Sequence, residues 1–419
     1  MAAPISLRDF ISGVEAVING HNRLNDFESE LKAHFGVKYC FLVSSGKAAL
    51  TVILKALHEI HPDRDEILIP AFTCYSVPSA VVRAGLKVRL CDIGEGTFDF
   101  DYKKLASILS RSDQSPKKTD LTQEVNHACQ SAKSKADSRL LAILPTHLLG
   151  IPSDVNRIRS MLNDPSVTIV EDAAQAMGES CQCGKLGTLG DVSFFSLGRG
   201  KMFCTVEGGI ILTSRDDIAA SLNHQIKSIP PCNSIALLRL ILYGLALLLF
   251  LNPFLFWLPS SISVLKLGQT IFDPEFAVYR MSSFQAGLAT RWLLRLRTLH
   301  EYRAQLVRIW KALYHKHTDG THHASLIQNS ALIRYPLIIS DTMKRDSILY
   351  DSKHRGLGIS KLYPDAISAI DSLKFTNGED YHVARKLAAS LITLPTHHYV
   401  CNKDVAKIKA IVWKRPSSH

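Results

Sequence analysis

Short apolar runs alternate with amphipathic stretches through the first half of the chain, and that alternation predicts strands and helices in turn. A helix is expected over about 26–35 and a strand over 38–43. Ser44, Ser45 and Gly46 then lead into an apolar helix over about 47–57. Further strand-length runs occupy 66–69, 87–91, 140–144 and 167–170, with helical stretches between several of them. Short strands alternating with helices predict an α/β architecture: a largely parallel sheet covered on both faces.

Two segments interrupt the pattern. Residues 110–138 are rich in Ser, Lys, Asp and Gln and read as a polar surface insertion. Residues 236–258 are apolar almost throughout, broken only by Arg239, Asn252 and Pro253. That length would suffice for a bilayer span. Candidate catalytic motifs lie on both sides of it, however, so a single crossing would split one site across a membrane. Asn252-Pro253 also favours a turn. The expectation is an apolar hairpin over about 235–259. It is either re-entrant or interfacial at a membrane, or buried at a subunit interface.

Past about Ser283 the texture changes. One long basic amphipathic helix is expected over 286–315, then strand-like 331–339 and helices near 345–355 and 380–391. At 419 residues two domains are expected, a large one over 1–283 and a smaller α+β one over 284–419, with the hinge on the long helix. The arginines of that helix, Arg291, Arg295, Arg297, Arg303 and Arg308, read as a solvated face or as neighbours of anionic headgroups.

The chain carries 49 Lys and Arg against 38 Asp and Glu, a net charge of +11. Such an excess suits an anionic ligand or membrane surface. No run of five or more basic residues accompanies it, which argues against nucleic acid. Nine scattered cysteines and no visible signal peptide point to a reduced, cytoplasmic compartment, with association at the cytoplasmic face of the membrane left open by the apolar segment. Cys181 and Cys183 form a C-x-C with no second ligand pair nearby, so no metal site is expected.

Three pieces carry candidate chemistry. Glu171-Asp172-Ala173-Ala174-Gln175-Ala176 directly follows the run at 167–170. A carboxylate there faces the crevice where open α/β sheets bind ligands, although Asp172 could equally cap a helix. Next, a strand over 190–196 ends in Leu197-Gly198-Arg199-Gly200-Lys201, followed by Glu207-Gly208-Gly209 and an apolar run. A lysine in a glycine-flanked turn beside buried strands can become a nucleophilic amine, or it can be a solvated loop residue. Third, Ser44-Ser45-Gly46-Lys47 at a strand-to-helix junction exposes backbone N–H groups suited to a phosphate, and Ser196 could add a hydroxyl.

Taken in order, these motifs make the chain similar to the DegT/StrS-type sugar aminotransferases, which are fold type I pyridoxal-phosphate enzymes. The resemblance runs from about Asn25 to Ile411, apart from the two insertions. It rests on Ser45-Gly46 with Ala48-Ala49-Leu50, Pro70-Ala71-Phe72-Thr73, and His147 with Gly150 and Asp154. It continues through 171–178, Gly190-Asp191, Phe195-Ser196, Lys201 and Glu207-Gly208-Gly209. Tyr279-Arg280-Met281 with Gln285, and Leu394-Pro395-Thr396-His397, close the series.

The resemblance implies a large mostly parallel mixed-sheet domain with a smaller α+β C-terminal domain, and a homodimer. It implies pyridoxal 5'-phosphate held by Lys201 as a Schiff base, with Asp172 against the ring nitrogen to keep the ring an electron sink. Gln175 would contact the ring or its phenolic oxygen; the Gly46 and Lys47 amides with Ser196, beside Ser45, would hold the phosphate. The expected reaction moves an amino group from glutamate to a nucleotide-linked keto-sugar for polysaccharide or glycoconjugate synthesis.

Departures from the family pattern sharpen the picture. Cys74, with Tyr75 next to it, stands where an aromatic usually stacks on the ring. Lys47 replaces a threonine and could add charge to the phosphate site. Val278 replaces an asparagine offered to the neighbouring subunit's site. Members that dehydrate sugars carry histidine in place of the lysine, so Lys201 favours transamination over a pyridoxal-phosphate sugar dehydratase. A non-catalytic cofactor-binding scaffold at the membrane is the other alternative. Arg280 and Arg334 are the candidates for a substrate diphosphate.

Overall fold

The computed structural model describes residues 4–19, 23–112, 139–250, 270–317, 331–373, 375 and 380–413. Most of the polar insertion and the second half of the expected hairpin lie outside them.

A seven-stranded sheet forms the centre. Its strands are β1 (Tyr39–Val43), β2 (Glu66–Pro70), β3 (Lys87–Cys91), β4 (Leu140–Ile143), β5 (Thr168–Asp172), β8 (Val192–Ser196) and β9 (Gly209–Thr213), in the order β1-β9-β8-β5-β4-β2-β3. Strands β6 (Ser180–Cys181) and β7 (Gly184–Lys185) make a small separate ribbon. Pairing is parallel from β8 through β5, β4 and β2 to β3, while β9 runs antiparallel to both its neighbours. The sheet is the mostly parallel, mixed one expected for the α/β class.

Both faces are covered, which is why the strands read as continuous apolar runs. Successive side chains point to opposite sides, so Ile67 and Ile69 enter one apolar cluster and Leu68 the other. The helices flanking this sheet are α1 (Leu7–Ile18), α2 (Arg23–Phe35), α3 (Gly46–Ile60), α4 (Ser76–Arg83), α5 (Tyr102–Ser112), α6 (Val155–Met161), α7 (Asp216–Ser228) and α8 (Ser234–Phe250). Helix α3 is buried along most of its length because α4 and α7 flank it over strands β8 and β9.

Strand β5 extends two residues further than its apolar run, so Glu171 and Asp172 end the strand instead of following it. The single long helix expected at 286–315 is two helices, α9 (Ser283–Leu288) and α10 (Trp292–His317). Ser282 and Gln285 form a capping box that starts α9, and Arg291 between the two adopts a left-handed φ of 58° that ends helical continuity. The C-terminal part adds the antiparallel pair β10 (Arg334–Ile338) and β11 (Leu391–Pro395), with α11 (Thr342–Arg355), α12 (His382–Ser390) and α13 (Asn402–Val412). Trp310 of α10 donates to the Pro395 carbonyl at 2.9 Å and ties that unit to the long helix.

Helix α1 was not expected from the pattern. A Ser6–Asp9 capping box begins it, and two glycines seat it on α9. A Cβ at Gly287 would stand 2.5 Å from the Ser12 carbonyl oxygen and 2.7 Å from Ala16 Cβ, so only glycine permits this approach. In the apolar segment, α8 is one continuous helix of 17 residues, and no helix among the described residues is long and apolar enough to cross a membrane. Gly287→Ala should overpack the α1–α9 contact and destabilise the protein by about 1–3 kcal/mol, read as a lowered midpoint of thermal unfolding.

Candidate active site

Adjacent strand ends bring the chemistry together. Asp172 of β5 pairs in register with Phe194 of β8, and β8 runs on to Ser196 before the chain turns through 197–208 and returns as β9. That turn is held by Leu197 N–H to Gly208 O at 2.8 Å and by Thr205 N–H to Leu197 O at 3.0 Å. Gly200, at φ 82°, supplies the left-handed step just before Lys201. From α10, Arg303 donates to the carbonyls of Met202 at 3.0 Å and Lys201 at 3.3 Å. This guanidinium is 1% exposed, and burial lowers its pKa to about 10 against the opposing pull of Glu179. Arg303 is therefore a clamp on the lysine turn; the expectation of a solvated or headgroup-facing residue fails at this position.

Asp172 is buried, and its Oδ1 accepts from the Ala174 N–H at 3.0 Å. Burial raises its pKa, while the Lys201 ammonium, the Ala174 N–H and His147 pull the other way. His147 accepts at Nδ1 from the Ser153 N–H, which assigns its proton to Nε2. That nitrogen stands 3.5 Å from Glu171 Oε1, and the other Glu171 oxygen accepts from the Leu189 and Gly190 amides.

The junction of β1 and α3 forms the opposite wall. Ser45 caps α3 by accepting from Ala48 N–H at 3.1 Å. A Cβ on Gly46 would stand 2.6 Å from Ser196 Cβ, so the helix start and the end of β8 approach as closely as glycine allows. Lys47 departs from expectation. Its ammonium is 3.6 Å from Asp273 Oδ2 and 4.2 Å from the centre of the Phe276 ring, so this charge is already engaged beside the helix start.

Gln175 is held in place by protein: Oε1 accepts from the Leu149 N–H at 3.0 Å, and Nε2 donates to the Tyr363 hydroxyl at 2.7 Å. Tyr363, which the sequence did not single out, packs its ring 5.4 Å from Phe72. Burial, the neighbouring Cys74 thiol and the Asp172 charge hold its phenol far above the ordinary range. Tyr75 is turned toward the Ala366 carbonyl, 3.5 Å away, while half-buried Cys74 neighbours buried Tyr363. Arg334 is also committed elsewhere. It donates to Thr393 Oγ1 and to the carbonyls of Gly358 and Thr393, which ties it to the C-terminal strand pair. Arg280 remains exposed.

Comparison with known proteins places this arrangement. The profile of the DegT/DnrJ/EryC1/StrS aminotransferase family matches residues 11–228 and 276–412. GDP-perosamine synthase of Caulobacter vibrioides is 29% identical over 197 residues, 47% of this chain and 45% of that protein. GDP-4-keto-6-deoxy-D-mannose 3-dehydratase of Yersinia pseudotuberculosis is 27% identical over 199 residues, 46% of this chain and 44% of that one. The chain thus spans somewhat less than half the length of these curated relatives. Among solved structures, Helicobacter pylori PseC, an aminotransferase involved in the biosynthesis of pseudoaminic acid, superposes with a TM-score of 0.72 at 17% identity, over 99% of this chain and 97% of that chain. A DegT DnrJ EryC1 StrS aminotransferase from Brucella abortus gives 0.69 at 17% identity, over 97% and 94%. The family match leaves out 229–275, the stretch that contains α8.

The raised pKa of Asp172 has a thermodynamic consequence. Between the ordinary value of 3.8 and the raised one, the native protein holds a proton that the unfolded chain has lost, so stability falls as pH climbs through that window. With no small molecule bound, Asp172→Asn should unfold at a higher temperature than the wild type at neutral pH, and the two should converge below pH 3.8.

Proposed function

Because the chain belongs to the DegT/DnrJ/EryC1/StrS aminotransferase family, we propose that it is a pyridoxal-phosphate-dependent aminotransferase that moves an amino group from glutamate to the keto group of a nucleotide-linked sugar. The carrying observation is buried Asp172 at the end of β5 beside β8, the parallel strand whose following turn carries Lys201.

The residues present suit the cofactor. Asp172 is a buried carboxylate whose burial cost a protonated ring nitrogen would offset. The start of α3 presents N–H groups and its positive dipole end for a phosphate, with Ser196 beside it and Gly46 leaving the cradle open. When bound, the cofactor supplies an aldehyde and an electron-withdrawing ring. Lys201 Nζ would hold that aldehyde and, once released by the donor amine, take the proton from the donor's α-carbon and deliver it to the cofactor carbon that had carried the aldehyde. Asp172 stays charged against the ring nitrogen, Arg303 keeps the lysine turn in place, and Gln175 and Tyr363 close the site on the Cys74 side.

Lys201 favours transamination over the dehydration performed by the Yersinia relative, since it keeps an amine where a Schiff base must form. Glutamate as donor, a homodimer, a cytoplasmic location and peripheral contact with the membrane through 236–258 belong to the same reading. A large domain over 1–283 and a small one over 284–419 complete it.

Protein loaded with pyridoxal phosphate should show a visible absorption band that glutamate bleaches. Lys201→Ala should lose both the band and turnover; normal turnover in that variant rejects the assignment. A bound cofactor that no amino donor alters would point to a non-catalytic scaffold. Gly46→Ala should weaken cofactor binding at least tenfold, about 1.4 kcal/mol, in an absorbance titration.

A further inference from the structure

Helix α8 lies in a stretch the family pattern does not cover, and it presents two different faces. One face docks on the protein. A Cβ on Gly244 would sit 3.2 Å from Phe284, and 3.3 Å from both Phe10 and Val206. One residue earlier, the Tyr243 ring lies 4.5 Å from the Arg199 guanidinium. Arg199 and Val206 both belong to the turn that carries Lys201, so α8 is packed directly against the proposed catalytic loop.

The other face is bare. Ile235, Leu238, Leu242, Leu245 and Leu249 recur every three or four residues and are 39% to 74% exposed. Helix α1 adds a second stripe of the same kind in Leu7, Ile11 and Ile18, the last 74% exposed. Phe10, Val14 and Val17, one step round α1 from that stripe, share an apolar cluster with Leu237, Leu240 and Ile241 of α8. The exposed stripe of α1 therefore borders its seam with α8.

The charges around this face are mostly of one sign. Among the described residues of α1, α8 and the turn before α10, Arg8, Arg239 and Arg291 are exposed against Glu15; Asp9 is buried, facing Arg291 and Arg295. The whole chain carries +11. An apolar face with a basic rim complements a bilayer surface rich in anionic headgroups, where leucines enter the acyl boundary and arginines meet phosphates. A second copy of this chain would instead bring like charges together around the same leucines.

We propose that α1 and α8 together form a monotopic membrane-docking surface for anionic lipid, placing the Lys201 turn one helix, about 10 Å, from the bilayer. This deepens the peripheral membrane contact within the proposed function, and it rests on that reading only for the role of Lys201.

The test uses the full chain loaded with pyridoxal phosphate and vesicles of phosphatidylcholine, alone or with a third of phosphatidylglycerol. Sedimentation should show binding to the anionic vesicles, weakened by added salt, and at least tenfold less to the neutral ones. The triple variant Leu238→Glu, Leu242→Glu, Leu245→Glu should lose binding at least tenfold while keeping its cofactor absorbance, which shows that it is folded. Ile11→Glu alone should weaken binding several-fold if α1 shares the surface. Three results would overturn the proposal: no binding of wild type to anionic vesicles, unchanged binding in the triple variant, or a loss confined to self-association in gel filtration. Should Lys201→Ala abolish nothing in the spectrum while vesicle binding persists, the enzyme reading fails and the docking surface stands.

Discussion

A carboxylate held away from water at the end of a parallel strand governs this structure. Among the described residues the Asp172 side chain accepts one hydrogen bond, from Ala174, and burial disfavours its charge. Lys201, on the turn after the neighbouring strand, offsets part of that cost with its positive charge. Without that carboxylate, Lys201 would be a loop lysine and the start of α3 an ordinary helix cap.

The surroundings serve to keep those two groups in register. Strand pairing sets Asp172 against Phe194, and the turn after β8 is pinned at its base by its own backbone bonds. Arg303 clamps the outside of that turn from a helix a hundred residues away, and α8 covers another side of it. Arg303 bonds the turn through its carbonyls, and among the described residues no hydrogen bond or ion pair holds the Lys201 side chain. The same economy appears opposite, where Gly46 lets a helix start approach Ser196 within a distance no other residue would allow.

The α8 insertion links this core to the outside of the protein. Its inner face needs Gly244 to come close enough to Val206 and Phe284, and its outer face leaves leucines uncovered that a monomer in water has no reason to display. The helix that carries those leucines also packs against residues 199 and 206 of the Lys201 turn.

Much of this was readable from the chain alone. Apolar runs located every strand of the central sheet to within two or three residues, because strands buried on both faces leave no polar gaps, and the order of motifs from Ser45 to Lys201 identified the family. Local pattern failed where distant groups decide the outcome. The break between α9 and α10 depends on a left-handed Arg291 inside a stretch whose periodicity continues through it. Lys47, Arg303 and Arg334 all read as free cations; their partners, Asp273, the carbonyls of the lysine turn and Thr393, are far away in sequence or carry no side-chain signal. Tyr363 entered the site from the C-terminal part for the same reason. Sequence determined the family and which segments are strands, since both follow from local residue type and spacing. Tertiary structure alone decided which charges are spent on the protein itself, because that depends on what packing brings within hydrogen-bond distance.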